Sequence, residues 1–110
     1  MKIGVIRCMQ TEDMCPGGTC FASIKNKKFA FEQLSGELEV VGWNTCGGCP
    51  GKKIIPRVLG MVQRGAEAIV LASCMTKGTP IGFVCPHVEQ IKEVVKKHLP
   101  PEILLIEYSH

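Results

Sequence analysis

Residues 66–72, Ala66-Glu67-Ala68-Ile69-Val70-Leu71-Ala72, are apolar at every position but one. A strand with one wet face alternates apolar and polar residues, whereas a strand covered on both faces reads as a continuous apolar run. This stretch therefore reads as a central strand of a parallel sheet. Parallel strands need crossover connections, usually helical, and the chain supplies them. Shorter apolar runs at residues 2–6, 38–43 and 103–106 read as the other strands. Between the first two, Phe21, Ile24, Phe31 and Leu34 fall on one helical face, from a Thr19 cap to a Gly36 stop. A second stripe, Ile54, Ile55, Val58, Leu59 and Val62, stops at Gly65. Pro56 fits that helix only within its first turn. A third stripe, Val88, Ile91, Val94, Val95 and Leu99, opens at Pro86 and ends at Pro100-Pro101.

The order β-α-β-α-β-α-β predicts an α/β fold with three αβα layers and one four-stranded parallel sheet. Right-handed crossovers make strand order 2-1-3-4 the most economical, a flavodoxin-like or Rossmann-like wrap. No repeat or linker interrupts residues 1–110, which read as a single domain. The net charge of +3 is mild, and no arginine-rich tract carries interleaved aromatics, so nucleic-acid binding is not indicated. No apolar run approaches the ~20 residues of a membrane span. The start Met1-Lys2-Ile3-Gly4 lacks the pattern of a signal peptide. A cytoplasmic location is the expectation.

Seven cysteines in 110 residues are the anomaly. An odd count without a secretory signal argues against a disulfide framework and for metal ligands or redox groups. Any single cysteine can be a small buried hydrophobe, but their positions form a pattern. Cys8, Cys46 and Cys74 stand at or just past the predicted ends of the first three strands, and His110 stands past the fourth. Cys15 and Cys20 lie in the first strand-end connection, Cys49 in the second, and Cys85 and His87 in the third. All belong to the carboxyl edge of the sheet, where open α/β folds bind ligands. Thiolates gathered there repel one another, and a bound cation is the usual way to hold them. Cys8, Cys46, Cys49, Cys74, Cys85 and His87 are the expected metal ligands, with Cys15, Cys20 and His110 as additional candidates.

The centre of the pattern is Cys46-Gly47-Gly48-Cys49-Pro50-Gly51. Two glycines let the backbone turn tightly with φ > 0, and Pro50 suits a first helical position. Both sulfurs would then sit at the positive end of a helix dipole, which favours thiolate. This hexapeptide resembles the signature of the CGGC domain family. Residues 7–16, Arg7-Cys8-Met9-Gln10-Thr11-Glu12-Asp13-Met14-Cys15-Pro16, are similar to that family as well. So are Ala72-Ser73-Cys74 and Lys77-Gly78-Thr79-Pro80-Ile81-Gly82 with Cys85-Pro86-His87. The resemblance spans essentially the whole chain and implies zinc or another metal bound by cysteines and histidines. It brings no settled reaction or substrate. The end, Tyr108-Ser109-His110, departs from the Gly-Thr-His-like ending expected of the family.

Zinc is the first reading, because it takes thiolate and imidazole ligands in a tetrahedron. An iron–sulfur cluster is the alternative metal reading. A different class is thiol–disulfide exchange through Cys46 and Cys49, since a CxxC at a helix start has that geometry. A lesser candidate is anion binding by Gly47, Gly48 and Lys52. Arg7, beside Cys8, is expected either to lower that thiol's pKa or to face solvent. Trp43 and Tyr108 read as core or rim residues.

Overall fold

The computed structural model describes residues 1–110. Its sheet has four parallel strands in the order β2-β1-β3-β4: β1 (Lys2–Arg7), β2 (Glu39–Thr45), β3 (Ala68–Leu71) and β4 (Leu104–Ile106). The predicted strand order and three-layer arrangement are both present. All four residues of β3 are fully buried, which explains the missing alternation: neither face of this strand meets water. Burial of each such aliphatic side chain contributes about 1.5–3 kcal/mol relative to exposure.

The helices are α1 (Gly18–Lys25), α2 (Ile54–Gln63), the single turn α3 (Ser73–Thr76) and α4 (Val88–His98). Helices α2 and α4 pack on one another; α2 buries Ile54, Val58 and Met61, the last against Gly4 and Gly42 of the sheet, and α4 buries Val88, Ile91 and Val95. Winding reverses between the β1–β2 and β2–β3 crossovers, so right-handed connections put α1 on the opposite face. No helix is long and apolar enough to cross a membrane.

Three sequence expectations change. The first helix is not one rod from Thr19 to Gly36. It ends at Lys25, because Lys27 and Phe29 adopt φ of 52° and 55°, a left-handed conformation that no α-helix continues through. A separate 3-10 turn, Phe29–Phe31, then inserts Phe31 fully into the core. Phe21, expected inside, is exposed and stacks on Trp43 at a centroid distance of 4.4 Å. Second, Pro50 is not a first helical residue: α2 begins at Ile54, with Lys53 as its N-cap, the start later than Gly51 that Pro56 in the first turn calls for. Residues 50–53 form turns, and the last helix likewise starts at Val88 rather than Pro86. Third, α3 occupies the start of what reads in sequence as a loop.

Candidate metal centre

The sheet ladder runs up to the thiols themselves. Beyond the last paired strand residues, the Cys46 N–H donates to the Arg7 carbonyl at 2.8 Å and the Ala72 N–H to the Ile6 carbonyl at 2.9 Å. These bonds hold the first residues past β2 and β3 level with the end of β1. Cys8, Cys46 and Cys74 are consequently brought to one edge, each at 8% exposure or less. The Cys8 N–H donates to Cys74 Sγ at 3.2 Å, joining two loops that are 66 residues apart. Cys85 is drawn in by its own N–H, which donates to the Met75 carbonyl in α3 at 3.0 Å.

Electrostatics links the same residues. Burial pushes the Cys8 thiol above its ordinary pKa; the Gln10 N–H opposes this, and charge on Cys46, Cys74 or Cys85 adds to the rise. Burial likewise raises Cys85, partly offset by the His87 N–H and reinforced by Cys49, Cys46 and Cys74. Cys8 and Cys85 thus each feel the charge of Cys46 and Cys74. Cys49 stands at the rim as the one exposed thiol. The two glycines before it have φ of 82° and 98°, as the turn requires. The helix dipole expected behind this turn is displaced, because α2 starts five residues after Cys49. Lys52 is exposed, and no helix start adjoins Gly47 and Gly48.

The remaining candidates divide. His87 is the N-cap residue of α4 and is half-buried, with no side-chain hydrogen bond. Cys15, Cys20 and His110 gather on the other side of Cys74, around a cavity of about 110 Å³. Burial raises the Cys20 thiol, and its Sγ lies 3.2 Å from Ser109 Oγ, which lowers it again in part. Burial, then Lys77, holds the His110 imidazole below its usual pKa. Arg7 meets neither sequence expectation: it is 9% exposed, and its guanidinium donates to Thr11 Oγ1, the Thr11 carbonyl and the Cys15 carbonyl. Two serines went unnoticed in sequence. Ser73 and Ser109 bond each other and fix the chain end beside Cys74. Their positions directly before Cys74 and His110 were the only signal.

No three Cys, His, Asp or Glu side chains stand in a geometry that grips an ion. The donors fit a thiophilic metal in kind, and a metal would have to draw the sulfurs inward to complete its shell. The family model of the CGGC domain matches residues 2–110. The chain belongs to the CGGC domain family. Metal binding is attributed to that family, and the seven cysteines of this CGGC domain are donors of the required kind. It is similar to the uncharacterized protein MJ0582 of Methanocaldococcus jannaschii, 39% identical over 103 residues, covering 88% of this chain and 76% of that protein. A second uncharacterized protein of the same organism, MJ0766, is 37% identical over 54 residues, covering 48% of this chain and 77% of the relative. No solved structure matches.

The raised thiols have a consequence for stability. An acid whose pKa is higher folded than unfolded stabilises the fold below the unfolded value, and that contribution disappears as pH rises through the folded value. Cys8, Cys20 and Cys85 are all of this kind. Reduced, metal-free CGGC domain should therefore keep its stability below the ordinary thiol pKa of about 8.5 and lose it progressively above. Urea midpoints measured from pH 7 to 10 should fall with pH. A flat or rising midpoint would show that these thiols are not preferentially protonated in the fold.

Proposed function

We propose that this CGGC domain binds a metal ion, zinc, at the carboxyl edge of its sheet. Cys8, Cys46, Cys74 and Cys85 are the principal ligands, with Cys49 and His87 at the rim as the nearest additional donors. The observation that carries the reading is that the connections after β1 to β3 bring Cys8, Cys46 and Cys74 to one edge of the sheet, with the Cys8 N–H on Cys74 Sγ and the Cys85 N–H on the Met75 carbonyl of α3. Burial, with the charge of neighbouring thiols, disfavours the thiolates of Cys8 and Cys85, so these thiols are poor free nucleophiles. They suit a cation, which removes the repulsion and the protons together. Bound zinc would supply a fixed dipositive charge, structural when all four positions are filled by protein and Lewis-acidic when one is left to water. The chain's part is to hold the sulfurs: the sheet ladder sets Cys46 and Cys74, and the Cys8 N–H steadies the Cys74 sulfur. Because burial favours the protonated forms of Cys8 and Cys85, binding should release protons and weaken as pH falls.

One observation favours a second reading. Cys49 is exposed while Cys46 is buried, the asymmetry of an attacking thiol with a resolving partner in disulfide exchange. The two readings separate on protein purified without oxygen. Elemental analysis should find stoichiometric zinc, with the liganded thiols slow to react until a chelator is added. Substoichiometric metal with a reversible Cys46–Cys49 disulfide would replace metal binding by redox chemistry. Stoichiometric iron with a brown chromophore would replace zinc by an iron–sulfur cluster.

A further inference from the structure

A cavity lined by Arg7, Cys15, Cys20, Trp43, Cys74 and His110 reaches the first residues of α1. Arg7 carries a charge that never titrates away and is nine-tenths buried. Its guanidinium hydrogen-bonds only neutral oxygens, those of Thr11 and Cys15. Neither of the molecule's two ion pairs involves it. A buried cation without an anion is costly, and folded proteins almost always pair one. Its Nη1 makes no hydrogen bond. Thr76 Oγ1 is the one fully enclosed side-chain polar atom without a partner, so Nη1 retains open space beside it.

The helix start on the same cavity is unsatisfied too. The first backbone bond of α1 runs from the Phe21 N–H to the Gly17 carbonyl, and the N-cap Gly17 offers no side chain. The N–H groups of Gly18, Thr19 and Cys20 are left without backbone acceptors, at the end of the helix that carries partial positive charge. Arg7 and this helix start thus meet on one cavity, and no protein anion answers either.

We infer that this cavity is a binding site for a small oxyanion, held by Arg7 and the N-terminus of α1. At about 110 Å³ it is smaller than the ~150 Å³ cavity that admits benzene, which limits the ligand to about five heavy atoms. Inorganic phosphate and sulfate have that size and charge. The inference does not depend on a metal at Cys8, Cys46, Cys74 and Cys85, and its test reads a different signal.

Trp43 is the only tryptophan and lines the cavity, so its emission reports occupancy. On the reduced protein as purified, phosphate or sulfate should change that emission saturably, whereas chloride at equal ionic strength should not. Arg7→Met should abolish the response. Because Arg7 also braces the loop after β1, a second variant guards against simple misfolding. Thr19 is exposed at the cavity mouth, and Thr19→Glu places a carboxylate where the anion would sit. A negative charge at a helix start does not harm the helix. This variant should melt as the parent does and bind phosphate at least tenfold more weakly. An unsaturable response to both oxyanions in the parent, or undiminished binding in Thr19→Glu, would overturn the inference.

Discussion

Replacing Cys74 by serine should strip the CGGC domain of metal as completely as replacing Cys46 does. The two residues are far apart in sequence and belong to different connections, so equal losses are expected only if both sulfurs contribute to one site. Serine keeps an acceptor for the Cys8 N–H, which now donates to Cys74 Sγ at 3.2 Å, and so the fold should survive. It does not supply a thiolate. Changes just outside a metal's ligand shell already cost 10–100-fold in affinity, and loss of a ligand should exceed about a hundredfold on that scale. Metal content after dialysis against a weak chelator should fall to background in both variants. If Cys74→Ser kept its metal while Cys46→Ser and Cys49→Ser lost theirs, the site would be the CGGC turn alone.

The largest stability effect away from the thiols is expected at Ser73. This residue is fully buried. Its Oγ accepts the N–H groups of Ser109 and His110 at 3.1 and 2.9 Å and donates to the His110 carbonyl at 3.0 Å. Ser73→Ala leaves both N–H groups without that acceptor, at about 1–3 kcal/mol for each one left buried. A total loss of about 2 kcal/mol or more is expected, lowering Tm by about 10 °C or more in a chain of this size. The damage should be directional. Ser109 Oγ, held against Cys20 and the Ser73 N–H, should loosen along with the chain end, and amide exchange should accelerate at Ser109 and His110 before the sheet. A melting temperature unchanged within about 2 °C would mean that water or neighbouring groups replace the lost oxygen at no cost, and that the chain end is not held by Ser73.

The sheet was legible in the sequence because its physics is local to each strand. An unbroken run such as Ala68-Ile69-Val70-Leu71 has only one comfortable place, between two covering layers, and β3 occupies it. With the strand order known, the residues after each strand fall on one edge, so the gathering of Cys8, Cys46 and Cys74 was legible too. The break in α1 was not. Lys27 and Phe29 take left-handed φ values that residue type alone argues against, and the 3-10 turn ending at Phe31 carries that ring into the core. In sequence, Pro50 suits a helix directly behind the CGGC turn, while Pro56 asks for a later start. The chain spends residues 50–53 on turns before α2 begins. The place of Arg7 was not legible in sequence, for a related reason. Its surroundings, Thr11 and Cys15, come from the fold of the following loop rather than from its neighbour Cys8. Ser73 and Ser109 meet across 36 residues, a pairing visible only once β3 and β4 lie side by side.

In the proposed site, thiols from three separate connections share one metal. Zinc-edge X-ray absorption on protein purified without oxygen tests it directly. One zinc per chain is expected, in a shell dominated by sulfur at about 2.3 Å, lost together in the Cys8, Cys46, Cys74 and Cys85 variants. A shell dominated by oxygen and nitrogen, or a metal that survives replacement of Cys8 and Cys74, would contradict it.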